Sequence, residues 1–236
     1  MLNPSQISEH AKYYNQERPA LVNQVRHAPN AILDLGCGSG AVGRRLLREG
    51  KAAQVVGVEL FASASAEAAQ YYTTVHTGDI ENMELPYSRC FDYVICGDIL
   101  EHLKDPYRVV ARIRDWLKDD GQLICSLPNV RHWKVLAGLA FHGAWDYQEA
   151  GVMDRTHLRF FTRRSCLKML SDADFEVENW RMLIGGRKDV LLNRLTFGVF
   201  EEFLGPQVMA VARKCNGATT GSPYGTESEC ERQSFG

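Results

Sequence analysis

Two rhythms of apolar residues alternate along most of this chain. Short apolar runs at 31–35, 54–60, 74–79, 91–97 and 122–127 read as buried strands. Between them apolar residues recur at helical spacing: Val42, Leu46 and Leu47 within 41–49, an alanine-rich stretch at 62–72, and Val109, Val110, Ile113, Trp116 and Leu117 after Asp105-Pro106. Asp105 is a good N-cap and Pro106 a good first helical residue. Gly50 is placed to end the first of these helices, and Asp119-Asp120-Gly121 the third. Pro19 opens a further short amphipathic helix carrying Leu21, Val22 and Val25, which either closes over a ligand or packs on the sheet edge. Strand then helix, repeated, predicts a parallel sheet covered on both faces.

The rhythm breaks after Pro128-Asn129. Segment 130–162 is rich in aromatic and basic residues, with a helical part at 133–141 and the rest irregular, as expected of a lid or binding loop. Thr162 caps a helix running to Ala173. Two last strands follow at 175–183 and 207–213, and no helix comes after the second. Between them 190–204 is strongly apolar, bracketed by Gly185-Gly186 and Gly205-Pro206. A flap, a dimer contact and a helix covering the sheet all fit it; the covering helix is preferred. The tail, 215–236, is Gly, Ser, Thr and Glu with almost no apolar residue, so disorder is expected there.

The sharpest local signal joins the first strand to the first helix, in Leu33-Asp34-Leu35-Gly36-Cys37-Gly38-Ser39-Gly40. Alternate glycines permit a sharp turn with positive φ and let a ligand touch the main chain. The helix start beyond them offers unpaired N–H groups to an anionic group. A nucleotide-like ligand is the first expectation. Residues 38–43 also satisfy G-x-G-x-x-G, and Glu59 closes the second strand where an acid can hold both ribose hydroxyls, so a nicotinamide-dependent oxidoreductase stays open at this point.

Composition narrows the field. With 236 residues, 45% of them hydrophobic, the chain is most simply one decorated domain. A formal charge of −2 provides no global basic field for nucleic acid or anionic membrane. Seven cysteines are scattered without a C-x-x-C pair, as in reduced proteins. No signal-peptide core is visible and no apolar run approaches the roughly 20 residues of a membrane span. A cytoplasmic location is expected.

Five pieces now stand in order: LDLGCGSG, the acid of VVGVEL, TGDIE, FDYVICGDILEHLKDP and the DDGQLICSLPN strand. Together they resemble the class I S-adenosylmethionine-dependent methyltransferases, over roughly residues 10 to 214. The later stretch SLPNVRHWKVL…WDYQEAGVMDRTHLRFFTRRS resembles a bacterial subgroup found with glycan-assembly or secondary-metabolite enzymes, and the ubiquinone-biosynthesis O-methyltransferase type. The resemblance implies an α/β, Rossmann-like sheet of seven mostly parallel strands with a C-terminal antiparallel hairpin. One domain at 1–214 would carry a lid insertion at about 130–162 and a second insertion at about 185–205.

It also implies site roles. Asp34 would order the glycine loop and the methionine amino group of S-adenosyl-L-methionine, with Gly36, Gly38 and Gly40 allowing close approach. Glu59 and the adjoining Leu60 would meet the ribose, Asp79 and Ile80 the adenine, and Gly97-Asp98 the methionine moiety. Arg18, with Tyr14 before it, would face the cofactor carboxylate. The acceptor is expected to be a small molecule methylated on a hydroxyl oxygen, sugar-derived or a secondary metabolite. Nitrogen, carbon or carboxyl acceptors, a nicotinamide enzyme and a non-catalytic cofactor-binding partner remain as alternatives.

A sulfonium methyl is already activated, so alignment of the nucleophile is the protein's main task; it can lower the barrier by roughly 7–11 kcal/mol. A hydroxyl acceptor also needs a base. His157 in Arg155-Thr156-His157-Leu158-Arg159 is preferred over His102, with a purely structural histidine as the alternative. Asp98-x-x-Glu101-His102 puts two acids and a histidine on one helical turn, as a similar run does in some ubiquinone-type and RNA-end methyltransferases that hold a metal. The run also occurs in metal-free members, and no metal is assigned. The excess of Arg131, Lys134, Arg155, Arg159, Arg163 and Arg164 over Asp146, Glu149 and Asp154 points either to an anionic acceptor or to ordinary surface ion pairs. Expected partners are thus a small-molecule substrate and a second copy of the chain, with neither nucleic acid nor membrane.

Overall fold

A computed structural model describes residues 17–215; Tyr14 and the tail from 216 onward, with the roles expected of them, lie outside the described residues. The strands form one sheet in the order β3-β2-β1-β4-β5-β7-β6. They are β1 (Asn30–Leu35), β2 (Ala52–Glu59), β3 (Thr74–Thr77), β4 (Phe91–Gly97), β5 (Leu117–Pro128), β6 (Phe175–Leu183) and β7 (Gln207–Lys214). The pairs β1–β2, β1–β4 and β2–β3 are parallel and β6–β7 is antiparallel, as the sequence led us to expect. The described residues divide into two compact units, 17–97 with 112–124, and 98–111 with 125–215.

In the first unit, β1 lies between β2 and β4, and all six of its residues are buried. A strand flanked on both edges and covered on both faces can carry apolar residues without alternation. The polar exceptions in this run are Asn30 at its start and Asp34, which lies opposite Gly57 of β2 and Ile95 of β4. Helix α1 (Pro19–Val22) is a single turn that buries Leu21 and Val22, shorter than the periodicity predicts. Helix α2 (Ala41–Arg48) packs on β1 and β2, and Gly50, at φ 67°, follows its end as predicted. Helix α3 (Ala62–Ala68) packs on β2 and β3; the chain then turns to bring Tyr72 inward.

Helix α4 (Pro106–Trp116) begins as predicted, with Asp105 Oδ1 accepting the Arg108 N–H at 3.1 Å. Its end is a correction. Asp119-Asp120-Gly121 does not stop the helix but lies inside β5, which already starts at Leu117. A Cβ on Gly121 would stand 3.0 Å from the carbonyl oxygens of Lys118 and Phe91, so glycine is needed there for close approach rather than as a helix terminator.

In the second unit, α5 (Trp133–His142) is followed by an irregular stretch to Thr162. Helix α6 (Arg163–Asp172) packs on β6 and β7. Thr162 and Ser165 form the capping box that closes its start: each side-chain oxygen meets the other residue's backbone N–H. Asn129 is 1% exposed; its side-chain amide donates to the carbonyls of Glu202 (2.7 Å) and Gly205 (2.8 Å), fixing the approach to β7.

The apolar 190–204 stretch forms α7 (Arg187–Leu195) and α8 (Glu201–Leu204). The preferred reading, a helix covering the sheet, fails for α7, which buries no residue; Leu195 is 67% and Phe197 96% exposed. Only Leu204 in α8 is buried. Among the described residues, no helix is long and apolar enough to cross a membrane.

Candidate functional site

The expected site residues of the first unit gather at the ends of β1, β2 and β4. Gly36, Gly38 and Gly40 adopt φ of 68°, 54° and 83°, a region that side-chain-bearing residues avoid, and Gly40 becomes the N-cap of α2. The loop is tied down at its start by Gly36 and Cys37, whose N–H groups both donate to the Val58 carbonyl.

Glu59 is nearly enclosed. Its Oε2 accepts the Gly38 N–H and its Oε1 the Phe61 N–H, each at 2.9 Å. The acid expected to grip a ribose therefore also shapes the glycine loop. Each carboxylate oxygen has a second lone pair, so the two duties are compatible. Leu60 beside it is 57% exposed.

Asp34 is buried beneath the loop, and burial pushes its carboxyl up to about 7. A hydrogen bond from Tyr72 and the positive charge of Arg18 act the other way, while the charge of Glu59 adds to the rise. Burial, with these same carboxylates, holds the Cys37 thiol in its neutral form. Arg18 sits in the left-handed region and its Cδ lies over Gly97, where a Cβ would come within 3.0 Å. Arg18 thus acts on Asp34 and lies over Gly97.

Asp79 follows β3 and caps its own turn. Its carboxylate accepts the Glu81 N–H at 2.9 Å and the Asn82 amide at 2.7 Å, while Ile80 beside it is buried. Arg112 fixes this corner by donating to the carbonyls of Ile80 and Met83.

The remaining candidates lie in the second unit. Asp98, at φ 55°, directs Oδ1 to the Ser126 hydroxyl (2.8 Å) and the Gln207 amide (3.0 Å). Glu101 and His102 occupy a single 3-10 turn (Leu100–His102) and meet His157 instead. One ligand atom from each of Glu101, His102 and His157 lies within 4.8 Å of the others. The Glu101 main-chain oxygen also accepts the N–H groups of Leu158 and Arg159, which draws the two segments together.

His157 Nδ1 faces the Val152 carbonyl at 3.0 Å and Nε2 faces Glu101 Oε1 at 3.9 Å. One ring nitrogen is thus held by a backbone carbonyl, and the other is turned toward the buried Glu101 carboxylate. His102 is half-buried, its Nδ1 facing the Thr156 carbonyl at 3.2 Å; burial, then the neighbouring His157, lowers its basicity.

The basic excess of this segment is largely spent within the unit. Arg131 and Arg163 both pair with Glu202, Arg155 pairs with Glu149, and Arg159 donates to the Lys104 carbonyl. The Phe160 ring meets those of both Trp145 and Tyr147. These arrangements favour the surface-pairing alternative over a dedicated anion site.

Sequence reasoning missed Tyr72, whose hydroxyl reaches Asp34, and the joining of His157 to Glu101. The only trace of the first is one large aromatic residue set against small ones at 40 and 43, at the start of α2, and at 57 in β2.

Comparisons with known proteins bear on the family and the fold. A family model described as a methyltransferase domain matches residues 7–179. The malonyl-[acyl-carrier protein] O-methyltransferase of Halalkalibacterium halodurans is 34% identical over 106 residues, 42% of this chain and 39% of that protein. The ubiquinone biosynthesis O-methyltransferase of Idiomarina loihiensis is 28% identical over 183 residues, 73% of this chain and 68% of that one. Alignment with the Halalkalibacterium protein thus spans under half of that relative's length. Among solved structures, an S-adenosylmethionine-dependent methyltransferase from Mesorhizobium loti superposes with a TM-score of 0.61 at 19% identity, covering 84% of this chain and 97% of that one. At that identity the likeness concerns the fold.

Proposed function

From its membership in the methyltransferase domain family, we propose that this chain transfers a methyl group from S-adenosylmethionine to a hydroxyl oxygen of a small-molecule acceptor. The observation that carries the reading is the pair of buried carboxylates, Asp34 and Glu59, set at the ends of adjacent strands around a loop of three positive-φ glycines. The relatives named as O-methyltransferases support oxygen as the acceptor atom.

The residues fit the cofactor by chemistry as well as position. The donor supplies an electrophilic methyl on a positively charged sulfur. Asp34 and Arg18 offer opposite charges to an amino group and a carboxylate, and Glu59 offers acceptors to two ribose hydroxyls. Asp79 and Ile80 offer an acceptor and an apolar wall to an adenine. Since the donor is pre-activated, these residues act mainly by holding it in one orientation.

Glu101, His102 and His157 fit a divalent ion. Each histidine has Nδ1 against a backbone carbonyl, which must accept, so Nδ1 carries the proton and Nε2 is left as a lone pair. Two such lone pairs and a carboxylate form a set suited to a borderline metal. A bound ion would lend Lewis acidity toward an acceptor hydroxyl. In this reading His157 is a ligand rather than a base.

Isothermal titration with S-adenosylmethionine, followed by methyl-transfer assays on a panel of hydroxylated metabolites, tests the reading. One site per chain with micromolar or tighter affinity is expected. Absence of binding, or preference for NADH, overturns it.

A further inference from the structure

The β1 strand is not alone in orienting Asp34. Tyr72, buried after α3, donates its hydroxyl hydrogen to Asp34 Oδ2 at 2.6 Å and accepts the Gly43 N–H at 2.9 Å. One buried oxygen thereby links the end of β1 to the first turn of α2, bracing the glycine loop between them.

The ring's place is kept by missing side chains. A Cβ on Gly43 would stand 2.4 Å from the Tyr72 ring, one on Gly57 2.9 Å, and one on Gly40 3.0 Å. Phenylalanine would fill the same cradle, so packing alone does not call for a hydroxyl. Burial and the nearby Asp34 keep the phenol protonated far beyond the ordinary range, so it stays a donor wherever the protein is folded.

We infer that Tyr72 is a positioning residue of the donor site, its hydroxyl holding the Asp34 carboxylate in a single rotation and in its charged form for the amino group of the methyl donor. This rests on the donor site proposed above. The groups acting on Asp34 are few. Tyr72 and Arg18 favour its charge, Glu59 opposes it, and Cys37 alongside is neutral. Deleting the hydroxyl removes one of the two favouring groups without altering the cradle.

The test is titration of the full chain with S-adenosylmethionine between pH 5.5 and 9, comparing wild type, Tyr72→Phe and Asp34→Asn. Loss of one charge-assisted hydrogen bond predicts about tenfold weaker binding by Tyr72→Phe at neutral pH. The deficit should shrink as rising pH restores the carboxylate, moving the midpoint of the affinity curve upward, while Asp34→Asn loses that rise and keeps only the titration of the donor's own amino group, at about pH 8. Weakening by one constant factor at every pH, or no weakening, overturns the proposal. Wild type that fails to bind at any pH overturns the donor reading instead. Should Tyr72→Phe not fold, the wild-type Tyr72 hydroxyl proton carries the test: its NMR signal should move on donor addition, and an unmoved signal rejects the role.

Discussion

Nε2 of His157 lies 3.9 Å from Oε1 of Glu101, both side chains almost wholly buried and brought together from segments far apart in the chain. Either a proton or a cation can mediate between an imidazole lone pair and a carboxylate so placed. The half-buried His102 brings a third ligand atom to the same cluster, which favours the cation. Equilibrium dialysis with Co²⁺ should then give one ion per chain with visible d–d absorption, and EDTA should remove it. Glu101→Gln should weaken the ion by at least about 100-fold, since even outer partners of metal ligands cost 10–100-fold. His102→Gln, at the most exposed of the three, gives the same test with little risk to folding. Undiminished binding in both variants would assign the cluster to a proton-mediated ion pair.

Glu59 connects loop geometry to donor binding. Its two oxygens already take the Gly38 and Phe61 N–H groups, and ribose hydroxyls would use the lone pairs that remain. Glu59→Ala should weaken S-adenosylmethionine by about 100-fold or more, given that hydrogen bonds to a charged group contribute about 1.5–3 kcal/mol each. Glu59→Gln keeps one acceptor and should fall between. Calorimetric titration reads both, and an unchanged dissociation constant for Glu59→Ala would remove this residue from the site.

Asp34 makes stability and function pull in opposite directions. Burial raises its carboxyl from the model-compound value of 3.8 to about 7, so the folded state binds a proton that the unfolded state has already released. The stabilisation from this group is complete below about pH 3.8 and is lost as pH climbs through about 7. Asp34→Asn removes the ionisation. The donor-free variant should therefore be more stable than wild type at pH 8, by on the order of a few kcal/mol, with a gain less than about half as large at pH 5. It should also lose donor binding. Thermal unfolding at the two pH values decides the matter: a gain of equal size at both would show that the Asp34 charge is not the cause.

What the sequence made legible was whatever a single element carries. The β1–glycine–α2 passage, the acid ending β2 and the Thr162 cap each depend on a few adjacent residues, and the structure has them where the pattern put them. The reversed β6–β7 pair was readable from a last strand with no helix after it. The failures share a different physics. Asp98, Glu101 and His102 stand on one stretch of sequence, which led to no assigned metal, and local spacing could not show that a φ of 55° and the Ser126 and Gln207 donors turn Asp98 away from the other two. Gly121 looked like a helix stop because local sequence cannot show that the Phe91 carbonyl crowds it. Tyr72 was hidden for the same reason: its cradle is assembled from the start of α2 and from β2, both distant in sequence.

The apolar stretch between β6 and β7 separates composition from burial. Leu195 and Leu204 belong to the same run and would be ranked alike by hydropathy, but Leu195 is 67% exposed and Leu204 5%. Truncating a side chain that water already reaches removes little buried area, so Leu195→Ala and Phe197→Ala should each change stability by no more than about 0.5 kcal/mol. Leu204→Ala empties a filled site and should cost about 2–5 kcal/mol, according to how far its neighbours close in. Chemical denaturation of the three variants at low protein concentration measures the contrast. A cost for Leu195→Ala that matches Leu204→Ala would mean that α7 is covered in solution, and its dependence on protein concentration would tell a second copy from the chain itself.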